Sequence, residues 1–225
     1  MSTKHLFRWA GLAALSAGCA FVVVELLRPP VVMASVTTPQ WIGVHELALA
    51  MAVLGLAGVT GVYTRQAAAA GKLGVVGYGM VSLWLVLTLP FNFIAALVLP
   101  LLAREAPGVA AGFVDLFARS ANAPHYGTLS NLWNAADILF IFGSLIFGIA
   151  TLRARVLPRW AAGLFTLGIG LAPAYSLLPA ALQPFVSVPI GLGLAGLGWA
   201  LLTERRVPAA APALSPATVL PAGAE

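Results

Sequence analysis

The chain has 225 residues, of which 60% are hydrophobic and only 8% charged, with a net charge of +5. Soluble globular domains carry about 25% charged residues, so the composition excludes that class. In a soluble chain the positive balance would point to nucleic acid. Here the basic residues sit in short loops between apolar stretches, where they set membrane orientation, and no nucleic-acid partner is expected.

Six apolar stretches follow one another: Trp9–Leu27, Val44–Tyr63, Leu73–Ala103, Leu132–Leu152, Trp160–Leu178 and Gln183–Leu202. Each approaches or exceeds the roughly 20 residues that cross a hydrocarbon core of about 30 Å. The first begins beside Lys4 and Arg8 and is followed by a small-residue site, Val32-Met33-Ala34, as a cleaved signal peptide would be. Its apolar run is long for such a signal, so the sequence predicts a retained helix. The single Cys19 lies inside it and reads as a small residue packed in the bilayer.

The proline-punctuated loop Arg28–Gly43 is too polar to span and is placed on the outer surface. The third stretch would be about 46 Å long as a straight helix, more than the bilayer core needs. Within it Pro90 cannot donate to the carbonyl of Val86, which predicts a kink, with Thr88 and Asn92 placed to re-satisfy the backbone. Residues 104–131 form the longest connection. There Gly108–Arg119 predicts a short interfacial helix with Val109, Phe113, Leu116 and Phe117 on one face and an Asp115–Arg119 pair on another. A plain loop is the alternative. The turn Leu152–Trp160 (LRARVLPRW) sets three arginines beside lipid headgroups. The run Gly191–Gly198 (GLGLAGLG) lies inside an apolar helix and reads as packing. Residues 207–225, rich in Ala and Pro, are predicted to be a disordered cytoplasmic tail.

With the N-terminus cytoplasmic, Lys4, Arg8, Arg65, Lys72, Arg153, Arg155, Arg159, Arg205 and Arg206 fall inside. Only Arg28, Arg104 and Arg119 fall outside. The fold expected is therefore all-α: a polytopic membrane protein with six transmembrane helices over residues 1–206, N-in and C-in. Trp41 and Trp133 are placed at the outer interface, Trp9 and Trp160 at the inner one, and Trp84 mid-segment. The pairs Ala13/Ala17, Ala14/Gly18, Ala57/Gly61 and Gly191/Ala195 offer faces for close helix contact. Gly55–Arg65 also resembles Gly143–Arg153, as a parallel repeat or by chance.

Intramembrane ionisable residues point to function. Asp137 is the best candidate, with Asn134 one turn earlier on the same helix face. His45 and Glu46 open the second helix, Glu25 closes the first, and His125 lies in the long outer loop. The five ionisable groups sit at similar depth, so one polar ligand-binding cluster beneath the outer interface, with Asn134 beside Asp137, is geometrically open to them. The plainer reading gives Glu46 and Asp137 to helix dipoles and pairs Glu25 with Arg28 at i,i+3. No HExxH, GxSxG, Walker loop or GxGxxG after a strand is present, so neither catalytic nor metal-binding residues are assigned, and the cofactor is unknown. Two histidines embedded at opposed mid-helix positions, as haem b needs, are not found.

The Leu152–Trp160 turn, the long third helix and the connection after it resemble uncharacterised bacterial multi-pass membrane proteins, known as domains of unknown function. The resemblance covers most of residues 40–205. It implies a six-helix fold and transfers no activity. The leading expectation is an accessory or structural subunit, or a small scaffold, of the bacterial inner membrane, with the lipid bilayer and other membrane subunits as partners. The alternative is a protein that binds or transports a small ligand, lipid or cation at the Asp137 cluster. An enzyme using the outer acids and histidines for acid–base work ranks third.

Overall fold

The computed structural model describes residues 3–121, 123–172, 178 and 183–203, and among these every element is helical. The elements are α1 (Thr3–Leu27), α2 (Met33–Val36), α3 (Pro39–Phe93), a π turn (Ile94–Val98), α4 (Leu99–Glu105), α5 (Pro107–Ala118), α6 (Thr128–Ile138), a second π turn (Leu139–Gly143), α7 (Ser144–Ala154), α8 (Arg159–Leu171) and α9 (Gln183–Thr203). Four continuous helical segments are long and apolar enough to cross a membrane: His5–Leu27, Pro39–Glu105, Thr128–Ala154 and Phe185–Thr203.

The segment Pro39–Glu105 contains 67 residues, which as one rod would reach about 100 Å, three times the bilayer core. It does not run straight. Gly71 adopts φ 57°, ψ −154°, a region open essentially only to glycine, and the chain reverses there. The two arms then lie side by side. Thr60 Oγ1 and the Tyr78 hydroxyl are 3.0 Å apart, Tyr63 and Tyr78 stack at 4.4 Å, and Leu85 packs on Gly55. The second and third expected stretches are thus the arms of one hairpin.

Packing follows the small residues. A Cβ on Gly18 would strike the backbone of Gly191 and Ala195, and one on Gly198 would strike Gly11 and Leu15, so α1 and α9 touch main chain to main chain. Ala14 and Ala10 of α1 seat against Gly58 and Gly61 of α3. Such contact is what associates helices where lipid is as apolar as the neighbouring helix. Of the expected pairs, Ala57/Gly61 needs correction: Ala57 is exposed, and the contacting row is Gly55, Gly58 and Gly61. Aliphatic and aromatic side chains fill the middle of the bundle, among them Val62, Leu85, Phe147, Phe165, Ile169 and Leu197. A polar link crosses it, from buried Gln66 Nε2 to Thr151 Oγ1 at 2.7 Å.

Pro90 does not break its helix. Residues 86–93 keep helical conformation, and the departure from α geometry comes one turn later as the π turn Ile94–Val98. Thr88 and Asn92 donate to the carbonyls of Leu85 and Thr88, both at 2.9 Å, not to that of Val86. The segment Gly108–Arg119 does form a helix, α5, and of its expected apolar face Leu116 is buried and only Val109 fails to turn inward. Val109 is exposed, while Ala110 and Val114 are buried and Phe113 and Phe117 half-buried. Val36, Trp41, Ala95, Leu99, Ala110 and Val114 make a second apolar cluster that ties α2, α4 and α5 to the start of α3. The end of the fifth expected stretch and the tail 207–225 lie outside the described residues.

Candidate functional site

Beside that second cluster, among α1, the two arms of α3 and α6, lies a cavity of about 380 Å³. Three of the six sequence candidates line it: Glu25 from α1, His45 from α3 and Asp137 from α6. Arg28, Arg119, Thr88 and Asn92 add polar groups. Seven aromatic rings make up much of the remaining wall: Phe21, Trp41, Trp84, Phe91, Phe117, Trp133 and Phe140. Deeper in, Phe21, Met51, Trp84 and Phe140 are shared with a narrow, mainly apolar crevice that reaches Val59, Phe165 and Leu194.

Both π turns border this space. A π turn inserts one extra residue per turn, so side chains before and after it face different directions than in an uninterrupted α-helix. On one side Thr88, Asn92 and Ala95 face the cavity, and on the other Asp137 and Phe140 do. The Ala95 carbonyl, inside the first π turn, accepts the Trp41 indole N–H at 2.8 Å. Trp41 is 1% exposed, so it is a structural wall of the cavity and not the interfacial anchor expected from the sequence. By contrast Trp9 and Trp160, 62% exposed each, point outward.

The charged residues work as pairs. Arg28 donates to Glu25 at 2.5 Å, the i,i+3 pair expected from the sequence. Glu25 is the inner member, its side chain 15% exposed against 41% for Arg28. Arg119 pairs with Asp137 and not with Asp115. The guanidinium carbon of Arg119 also stands 5.5 Å from the centroid of the Trp133 ring, so one cation is held by a carboxylate and an indole face together. His45 Nδ1 is 2.8 Å from the Trp41 carbonyl, and its ring lies 4.4 Å from the Trp41 ring.

The backbone around Arg119 accounts for its reach. The amide of Ser120 bonds the Asp115 carbonyl at 3.0 Å and that of Arg119 bonds the Leu116 carbonyl at 3.2 Å. This double bond pattern closes α5 with the next residue left-handed, a place where glycine is usual. Arg119 occupies it at φ 56°, ψ 36°, at a cost of about 1 kcal/mol against glycine. That position turns the side chain toward α6.

The remaining candidates fall elsewhere. Glu46, Asn134 and His125 are exposed and do not line the cavity. The helix-dipole explanation also needs revising. Asp137 and Glu46 lie about two turns inside helices that begin at Thr128 and Pro39, beyond the first turn where the dipole acts. Among the described residues no three of His, Cys, Asp and Glu gather as a metal site requires. Sequence reasoning missed Arg119 as the partner of Asp137, because they come from different helices. It also missed the aromatic wall, whose rings are scattered from residue 21 to residue 140. The one available signal was Trp84, a large ring out of place in mid-segment.

Comparison with known proteins gives no neighbour: no protein family, no curated protein and no solved structure matches this chain.

Proposed function

We propose that this is a six-span protein of the bacterial inner membrane, with both termini cytoplasmic, that binds a small molecule in the cavity between α1, α3 and α6. The observation that carries the reading is the convergence of Glu25, His45 and Asp137, from three separate helices, on one cavity of about 380 Å³. That volume lies within the range of small-molecule sites, and a mostly aromatic wall with a few placed polar groups is the usual composition of such sites. The buried indole N–H of Trp133, which has no hydrogen-bond partner, adds a polar demand at the same wall. Six spans follow from counting the hairpin arms separately and including α8, and the basic residues of the Gly71 and Leu152–Trp160 turns support a cytoplasmic assignment for that end.

The test is native mass spectrometry of the full chain in mild detergent. Ala48 and Ala136 are buried and line the cavity, so Ala48→Leu and Ala136→Leu fill it. A mass bound to the native protein and absent from both folded variants supports the reading. Identical spectra from all three contradict it. The second reading is the accessory or structural subunit, favoured because each carboxylate at the cavity already holds an arginine. It predicts a stoichiometric protein partner that co-purifies and survives both substitutions.

A further inference from the structure

The cavity's charges are not arranged evenly. Of the Glu25–Arg28 pair the carboxylate lies inward and the guanidinium outward. Aromatic rings carry negative faces, and of the seven rings that line this space Trp133 turns its face to a cation, that of Arg119. Carboxylates backed by ring faces make an environment for positive charge, as in the aromatic cages that hold quaternary ammonium groups. The protein already displays such recognition with a group of its own. Arg119 lies between the Asp137 carboxylate and the Trp133 face, and both it and Asp137 remain more than 40% exposed. Its backbone is left-handed, a position that favours glycine.

Resting on the cavity reading above, we propose that the ligand is an organic cation with an apolar body, an amine or quaternary ammonium compound. Arg119 is a tethered occupant of the cation position on Asp137 and Trp133. The ligand's charged group takes that position as Arg119 swings out to water, and its body lies against Trp41, Trp84 and Phe140 toward the apolar crevice. The step is an exchange of one cation for another, so the site never leaves Asp137 unpaired.

An anion-binding cavity would use Arg119 as its anchor, and removal of Arg119 would weaken binding. A cation-binding cavity has Arg119 as a competitor, and its removal tightens binding. The experiment titrates the full chain in uncharged maltoside micelles, following tryptophan fluorescence and heat. Benzyltrimethylammonium is compared with benzenesulfonate, and choline with its neutral isostere 3,3-dimethylbutan-1-ol. Arg119→Gly suits the left-handed position, so the end of α5 keeps its geometry. The expected result is preference for the cation in both pairs, tightened on the order of fivefold by Arg119→Gly, the scale of one exposed ion pair. Adding Asp137→Asn to that variant should remove the gain and the preference for charge.

Weaker cation binding in Arg119→Gly, equal binding of the neutral isostere, preference for the sulfonate, or no binding of any probe each overturns the cation assignment. The cavity reading itself fails separately, when native mass spectrometry finds no mass that Ala48→Leu and Ala136→Leu expel.

Discussion

Arg119 shows how a single residue joins local strain to a tertiary site. Asp115 stands four residues before it, and that spacing suggested a pair along one helix. The left-handed end of α5 sends the guanidinium to Asp137 on α6 instead, and no spacing rule reports such a turn. Two substitutions separate the strain from the pairing. Arg119→Ala and Arg119→Gly both remove the Asp137 pair, but only glycine relieves the positive φ. Arg119→Gly should therefore be more stable than Arg119→Ala by about 1 kcal/mol, read from unfolding in detergent. Equal stabilities would mean that the left-handed position carries no cost. Glu25 and Arg28 illustrate the opposite case, a pair within one turn that the sequence made legible.

At the scale of elements, the apolar stretches were legible because hydropathy over about 20 residues is a strong signal. Their joints were legible as gaps, such as residues 64–72 with Arg65 and Lys72, but not to the residue. Gly71 stands in the run AAAAGKLG close to Gly74, and the run alone does not say which of the two turns the chain. Its backbone angles set it apart, and a Cβ there would meet no atom within 4 Å. Gly71→Ala should thus destabilise through the backbone alone, by about 1–3 kcal/mol. Gly79 also has open space around it but ordinary helical geometry, and Gly79→Ala should stabilise by up to about 1 kcal/mol. Paired denaturation measurements on the two variants check this, and equal effects would refute the hinge role. Pro90 was legible only in part. A missing donor is visible in sequence, but whether the helix kinks or continues depends on what packs around it. Here the helix continues and the irregularity appears at Ile94–Val98.

The described residues pair a closely packed bundle with an aromatic-walled cavity that carries a few charges, near the end that carries α2 and α5. Bundle and cavity were unequally readable. Helical class and the small-residue faces of α1 and α9 follow from composition and spacing, whereas the meeting of those two faces, and the rings and charges that α1, α3, α5 and α6 bring to the cavity, arise only in space. Thiol labelling tests both features in intact cells, in a Cys19→Ala background that removes the exposed native thiol. Thr37 and Arg155 are exposed in connections at opposite ends. Cysteines at these two positions should react from the periplasmic and cytoplasmic sides respectively, and the reverse would overturn the orientation.

The decisive position is Ala48, which is 4% exposed and lines the cavity. Val53, a turn and a half further along the same helix, is 58% exposed on the outside of the bundle. A small cationic methanethiosulfonate should modify Ala48→Cys, from the same side as Thr37→Cys, and leave Val53→Cys unmodified in the lipid. If Ala48→Cys is as inert as Val53→Cys, no water-filled cavity admits a cation there and the binding function is contradicted.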